Sequence, residues 1–425
     1  MSSSHSFLLV LVVALSSACE PPSPFVPPDF GEESLLRTAT PLPRESYAGL
    51  EGNYLLSGDA HGFGQRVVLR GTRVGLSLFG NDNGAYANMR AGCSDGGTRL
   101  VLEGYWRHST GSDAGLVRLF VEGEAIASAL CAGTTVPSRA SLRGNFTDND
   151  DRDVGSSSTL SFDRPLVPGT ERFHIIVHSG CRTVDDCGAS ENTIEAMRLV
   201  EGMGATGIEL DVNLTADEVP ILFHDDNFSS RLVRGRDCVG PVNEFTLAAV
   251  RELCAAKYGE AIPTLSDALS VIIDETLLTR VWLDVKQPEA LASVMRAVEE
   301  AQLRAELATR DVRIVVGLPD LDSLETFVSL RGSRPIHCVY EIEPEQAVSA
   351  GCAMWGPRWT RGPSTDSVRA LQSQGIEVVF WTIDETDFID EILRSAGPNG
   401  IVTDRPGVVL QRLQEIGVLA PEFAL

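Results

Sequence analysis

The hydrophobic pattern of this chain changes period once. From about Tyr47 to Leu166 apolar residues come in short, partly alternating runs such as Arg66-Val67-Val68-Leu69, Val74-Gly75-Leu76-Ser77-Leu78 and Leu116-Val117-Arg118-Leu119-Phe120-Val121. Turn signals such as Asn81-Asp82-Asn83-Gly84 separate them, which predicts antiparallel strands. A Leu-x-Gly-x-aromatic pattern recurs at Leu50–Tyr54, Leu102–Trp106 and Leu142–Phe146. It suggests equivalent strands of one sandwich or small barrel. A packing or spacer module is the plain reading of this region, and a carbohydrate- or surface-binding role is the other. The acidic run Asp148-Asn149-Asp150-Asp151-Arg152-Asp153 lacks the glycine and distal glutamate of a calcium loop and reads as a solvated loop.

After Pro168-Gly169 apolar strands alternate with helical stretches. The strands are Phe173–His178, Gly207–Val212, Arg280–Lys286, Arg313–Leu318, Ile336–Ile342, Ala353–Trp359, Glu377–Ile383 and Gly400–Thr403. Helices are predicted over Thr193–Gly202, Pro288–Arg304, Leu321–Leu330, Ser364–Gln374 and Phe388–Ser395. This alternation implies a parallel sheet with helices outside. Eight strands over about 250 residues are the size of a (β/α)8 TIM-type barrel. A ninth run, Pro220–His224, follows Gly207–Val212 too closely for a parallel crossover, so it returns antiparallel at the barrel's C-terminal mouth. The expected fold is therefore α/β, a (β/α)8 barrel preceded by an antiparallel all-β domain.

The chain has 425 residues, enough for two or three domains. Phe7–Leu15 is an apolar run too short to span a bilayer, followed by Ser16-Ser17-Ala18-Cys19. Small residues before a cysteine resemble a bacterial lipoprotein signal, although no Lys or Arg precedes the run; a plain cleaved signal is the alternative. The expected divisions are a signal over 1–18 with Cys19 lipidated, a Pro-rich spacer over 19–46, the β domain over 47–168 and the barrel over 169–425. The protein is then exported across the cytoplasmic membrane, with membrane contact through the lipid anchor only. Setting Cys19 aside, the nine cysteines leave an even number. In an oxidising compartment sequential pairing is expected: Cys93/Cys131, Cys181/Cys187, Cys238/Cys254 and Cys338/Cys352. No Cys-x-x-Cys favours metal binding by these thiols. The net charge of −24 argues against nucleic acid as a partner and against tight adsorption to anionic lipid.

Candidate chemistry gathers at the C-terminal ends of the barrel strands. In Gly207-Ile208-Glu209-Leu210-Asp211-Val212 the two acids share one face of an otherwise apolar strand. Two like charges hidden from water repel unless a cation sits between them, and carboxylate oxygens suit a hard divalent ion. His224-Asp225 returns an imidazole to the same neighbourhood. His178, Asp284 and Lys286, Glu341 or Glu343, Trp381-Thr382 and Thr403-Asp404 fall on the same predicted rim. Each alone is unremarkable: a lone strand histidine is usually a satisfied core residue, and Asp-x-Lys a surface ion pair. Their coincidence on one rim is what counts.

The ordered set His178-Ser179-Gly180, Ser190-Glu191-Asn192-Thr193, Gly207–Val212, His224-Asp225, Ile262-Pro263-Thr264-Leu265, Asp284-Val285-Lys286, Trp381-Thr382 and Gly400–Pro406 resembles the glycerophosphodiester phosphodiesterase family over roughly residues 172 to 418. The resemblance implies a phosphodiesterase with one divalent cation, Ca2+ or Mg2+. Glu209, Asp211 and Asp284 are the implied metal ligands, His178 and His224 the catalytic histidines, and Lys286 the phosphate-binding lysine. Two positions depart from the family. Ser179 replaces an arginine expected near the phosphate, a charge that Arg182 could restore, and Asp284 stands where a longer glutamate is usual. Both departures resemble the related sphingomyelinase D enzymes.

The leading expectation is hydrolysis of small glycerophosphodiesters to glycerol 3-phosphate and an alcohol by a monomer outside the cytoplasm. It predicts a small polar pocket closed by residues such as Trp381. A phospholipase D-like or sphingomyelinase D-like reaction on lipid predicts an apolar groove instead. A non-catalytic surface protein binding through its β domain is the third reading, against which the retained histidines, acids and lysine weigh.

Overall fold

The computed structural model describes residues 25–417 except 59–61, 74, 81–83, 109–112, 135–139, 149–156, 183–187 and 333–334. The signal segment with Cys19, the Asn81-Asp82-Asn83 turn, most of the acidic run and Cys187 lie outside the described residues.

The first folded unit is a closed barrel. Its strands are Gly52–Ser57, Arg66–Gly71, Leu76–Phe79, Tyr86–Ser94, Arg99–Arg107, Ala114–Val121, Leu142–Phe146 and Ser157–Arg164. Each pairs antiparallel with the next, and the last pairs with the first. Of the two architectures expected, this is the up-and-down barrel, which leaves no free sheet edge. Alternating residues such as Leu69, Leu78, Leu102, Leu119 and Leu160 fill its interior. The recurring glycine has a steric cause: a Cβ at Gly104 would lie 1.8 Å from the Asn88 carbonyl oxygen, and one at Gly144 1.9 Å from that of Arg118. Backbones approach that closely only where a strand carries no side chain.

The Pro-rich segment is shorter as a spacer than its composition suggests. Thr40–Pro41 adds to the sheet beside Gly92 and Cys93. Upstream, Ser34 Oγ and Leu35 N donate to Glu103 at 2.7 and 3.1 Å, and Arg118 pairs with the same carboxylate at 2.5 Å. Glu103 is buried, and a buried carboxylate needs such partners, so it ties the segment down. Phe30 lies under the Arg118 guanidinium and Phe25 under that of Arg107.

The second unit is the (β/α)8 barrel. Its parallel strands are His174–Val177, Gly207–Leu214, Arg280–Val285, Arg313–Leu318, His337–Tyr340, Met354–Trp355, Glu377–Phe380 and Gly400–Thr403. The first pairs with both the second and the last, which closes the ring. Each strand corresponds to one predicted from the sequence. Ile176, Trp282, Val315, Val339, Met354, Val379 and Val402 plug the interior. Pro220–Leu222 pairs antiparallel with Gly207–Leu214, as expected. It opens an excursion with a small core of its own, including Phe223, Phe228, Val242 and Val250, stapled by Cys238–Cys254. Cys93–Cys131 and Cys338–Cys352 also form as expected, whereas the Cys181/Cys187 pairing involves a residue outside the described set.

Sequence reading missed the helices Leu265–Glu275, Pro344–Ser349 and Pro406–Ile416. The last one joins the two barrels. Gln414 on it is buried; its side chain accepts from Asn53 at 3.2 Å and Val167 N at 2.8 Å and donates to Thr170 at 2.8 Å. Phe79 of the antiparallel barrel packs against Gly407 and Gly204 and belongs to the main core of the parallel barrel. No helix among the described residues is long and apolar enough to cross a membrane.

Candidate active site

Strand register builds the site. Asp211 and Asp284 are direct partners on adjacent parallel strands, and Glu209 sits one inward-facing position deeper, opposite Trp282. Two residues of strand drop its Cα by roughly 6.6 Å, so a long side chain is needed there to reach the level of the two aspartates. One oxygen from each of the three carboxylates lies within 4.8 Å of the others.

The backbone around them is shaped to serve these acids. After Val177 the chain leaves the strand in a tight turn, with Ser179 in the left-handed region at φ 48°. That turn aims the Ser179 N–H at Glu209 Oε2, 2.6 Å away. Asn192, from the Ser190–Thr193 motif, donates to Asp211 Oδ2 at 2.8 Å and accepts from the Asp211 N–H at 3.0 Å. Lys286 Nζ lies 2.6 Å from Asp211 and 2.5 Å from Asp284.

These contacts leave the charges unbalanced. Burial, with Asp211 and Asp284 alongside, pushes the Glu209 carboxyl well above the usual carboxylate range. Burial acts on Asp211 too, but Lys286 and His224 outweigh it and hold that carboxyl below its ordinary value. Glu209 Oε1 is buried with no hydrogen-bond partner among the described residues. An orphaned carboxylate oxygen beside two more carboxylates fits a hard divalent cation, and this donor set suits Ca2+ or Mg2+.

Both histidines are oriented by acids. His178 Nδ1 stands 3.0 Å from Asp404 Oδ1. Asp384 accepts from Thr403 Oγ1 and from the Asp404 N–H, at 3.0 and 2.7 Å, and so fixes the turn that presents Asp404. His224 Nδ1 lies 2.9 Å from Asp225 Oδ1, and Arg231 grips the same carboxylate with two hydrogen bonds of 2.9 and 2.5 Å. Arg231 holds the Asp225 carboxyl below the usual range. Each imidazole thus keeps Nε2 for other work.

Of the side chains singled out from the sequence for chemistry, His178, Glu209, Asp211, His224, Asp284, Lys286, Trp381 and Thr382 line one cleft of about 420 Å³, and Thr403, Asp404 and Asp225 do not line it. Of the two glutamates considered, Glu341 lines it, whereas Glu343 pairs with Arg361 at 2.8 Å elsewhere. The position of the missing arginine, Ser179, is buried beneath the site. Arg182, by contrast, lies exposed on the cleft. Sequence reading missed Arg358 and Arg231, loop cations that no periodic pattern marks. The partners Asp225 and Asp404 were visible only as neighbours of a histidine and a threonine.

A cleft with three clustered carboxylates, a lysine and two acid-oriented imidazoles at the C-terminal mouth of a (β/α)8 barrel defines a phosphoric diester hydrolase. Residues 178–408 match the sequence model described as "Glycerophosphoryl diester phosphodiesterase family", and the chain belongs to that family. A "Glycerophosphodiester phosphodiesterase" of Caldanaerobacter subterraneus subsp. tengcongensis is 26% identical over 256 residues, covering 57% of this chain and 98% of that one. "Glycerophosphodiester phosphodiesterase 1" of Homo sapiens is 32% identical over 124 residues, covering 27% of this chain and 34% of that one. Among solved structures, a glycerophosphodiester phosphodiesterase from Parabacteroides distasonis aligns with a TM-score of 0.47 at 22% identity, over 57% of this chain and 97% of that one. An Oleispira antarctica phosphodiesterase, solved in complex with sn-glycerol-3-phosphate as product, aligns with a TM-score of 0.47 at 22% identity, over 56% of this chain and 96% of that one. The antiparallel barrel precedes the matched residues.

Proposed function

We propose that the chain hydrolyses small glycerophosphodiesters to glycerol 3-phosphate and an alcohol with the help of one divalent cation. Glu209, Asp211 and Asp284 would hold that ion, and when bound it offsets charge growing on the phosphoryl oxygens. Lys286 supplies a second positive charge to the same oxygens. One of His178 and His224 takes a proton from the attacking water, and the other gives one to the departing alkoxide; each works through Nε2, its Nδ1 being turned to an aspartate. Asp404 and Asp225 hold the imidazoles in place for that exchange.

The observation that carries this reading is the meeting of both imidazoles and all three carboxylates on one cleft. The wall also bears Arg182, Glu341 and Arg358, a polar pocket suited to a small anionic diester and unlike the apolar groove that a lipid-cleaving relative needs. Phosphorus NMR of the purified protein with glycerophosphocholine, glycerophosphoethanolamine and lysophosphatidylcholine tests it. Glycerol 3-phosphate from the first two is expected; cleavage confined to the third, or a cyclic phosphate product, would replace this reading with the lipid one.

We place this activity outside the cytoplasm, on a chain anchored by lipid at Cys19. The disulfides support an oxidising compartment. The segment between Cys19 and Phe25 reaches about 20 Å at most, and Phe25 packs against Gly188 of the loop that follows His178. Such a tether holds the cleft near the membrane. Radiolabelled palmitate incorporation, lost in Cys19→Ala, checks the anchor.

A further inference from the structure

The carboxylates, Lys286 and the histidines account for the phosphate end of the cleft and leave one wall without a part. That wall is Arg358 and Trp381. Arg358 follows the strand Met354–Trp355 and lies exposed on the cleft, its guanidinium carbon 4.6 Å from the centre of the Trp381 ring. The pair is fixed at several points. The Trp381 indole N–H donates to the Gly356 carbonyl at 2.6 Å. The two backbones form a parallel bridge, and Trp359 N donates to the Trp381 carbonyl at 3.2 Å. The indole otherwise packs on the apolar plug inside the barrel.

This arrangement has a chemical consequence for the alcohol half of the substrate. Quaternary ammonium groups are recognised by open aromatic faces, through attraction to the ring's electrons. Here a protein cation already takes that position on Trp381. The other tryptophan of the cleft, Trp282, is only 3% exposed and cannot complete an aromatic cage. A second positive charge entering beside Arg358 meets repulsion, and Arg182 on the same cleft adds to it. A guanidinium offers instead several N–H donors in a planar fork, suited to hydroxyl or acidic oxygens.

Building on the hydrolase reading above, we propose that Arg358, laid over Trp381, selects diesters of oxygen-rich alcohols, such as glycerol or inositol, over diesters of cationic alcohols such as choline. Arg358 is then a specificity residue that touches the leaving alcohol.

The test compares kcat/KM of the full-length protein, loaded with Mg2+ or Ca2+, on glycerophosphoglycerol, glycerophosphoinositol and glycerophosphocholine. The wild type is expected to favour the first two over the third by about tenfold, the effect of one like charge at close range. Arg358→Met keeps the stem, removes the charge and uncovers the indole. It is expected to lower that preference about tenfold, with the choline diester gaining in kcat/KM. Arg358→Lys keeps the charge without the fork, and is expected to go on rejecting choline while losing rate on the inositol diester. Comparable wild-type rates on all three, or an unchanged ratio in Arg358→Met, would overturn the inference while leaving the hydrolase reading intact. No turnover of any diester by the wild type would overturn both.

Discussion

The two ends of the parallel barrel both bury acids, in opposite company. At the N-terminal end Glu377 receives Arg280 at 3.1 Å, Arg313 at 3.0 Å and His174 at 3.5 Å. Burial alone would raise its carboxyl, but the nearby His174 imidazole, followed by Arg280, pulls it down to about 2. At the C-terminal end Glu209 has, among the described residues, only a backbone N–H on one oxygen and nothing on the other, and its carboxyl is pushed up. A charge that the chain neutralises by itself belongs to the scaffold. One that it buries and leaves unmatched is kept for something that arrives from outside. The fold ion-pairs Glu377 where strands begin and leaves one oxygen of Glu209 unmatched where they end.

The histidine variants separate the two ends most sharply. His178→Ala or His224→Ala is expected to cost about a thousandfold in turnover, with the thermal melt unmoved. Rate assays beside circular dichroism check this, and full activity in either variant would remove that imidazole from the chemistry. Glu377→Gln should behave the other way, keeping its rate and losing about 3 kcal/mol of stability at neutral pH. The sign follows from linkage: the folded value near 2 lies below the ordinary 4.5. Its contribution is therefore present above about pH 4.5 and lost as pH falls toward 2. Denaturant melts at pH 7 and pH 3 should find wild type and variant far apart at the first and converging at the second.

Cation addition probes the other end. Chelation is expected to silence hydrolysis, and Ca2+ or Mg2+ at a hundredfold excess over Kd to stabilise the stripped protein by about 2.7 kcal/mol. A melting temperature indifferent to both ions would mean that the unmatched acids are no cation seat. A change of pH probes Glu341, which burial and then Asp284 push up to about 8. In cation-free protein its stabilising share is complete below about pH 4.5 and fades as pH rises through 8. Glu341→Gln should therefore gain on wild type in melting temperature between pH 5 and pH 8, and a constant gap would refute the shift.

The active-site end of this contrast is largely legible in the sequence. All eight parallel strands, the antiparallel return at Pro220 and the rim residues follow from alternation and strand polarity. Strand ends did not. The apolar pattern predicts a strand over Phe173–His178, yet the strand stops at Val177 because the turn that carries His178 and Ser179 leaves extended geometry to reach Glu209. The helix Leu265–Glu275 carries a readable signal, with Leu265, Ala268, Leu269, Ile272 and Ile273 on one face and Thr264 accepting from Asp267 N. The cluster at Glu377 was illegible in principle. Arg313 and Arg280 open strands 64 and 97 residues from Glu377 in sequence, and only the winding of the sheet into a ring brings them to it.

The helix Pro406–Ile416 closes the parallel barrel on one flank and seats Phe79 and Asn53 of the antiparallel barrel on the other. A stretch of chain shared in this way cannot be divided between two owners. Cutting near residue 168 to obtain the family-matched portion alone would strand Gln414 and lay bare a greasy seat, so the expected product is an aggregating fragment rather than a minimal enzyme. The amino-terminal barrel, whatever it touches outside, covers part of the hydrolase barrel's own core.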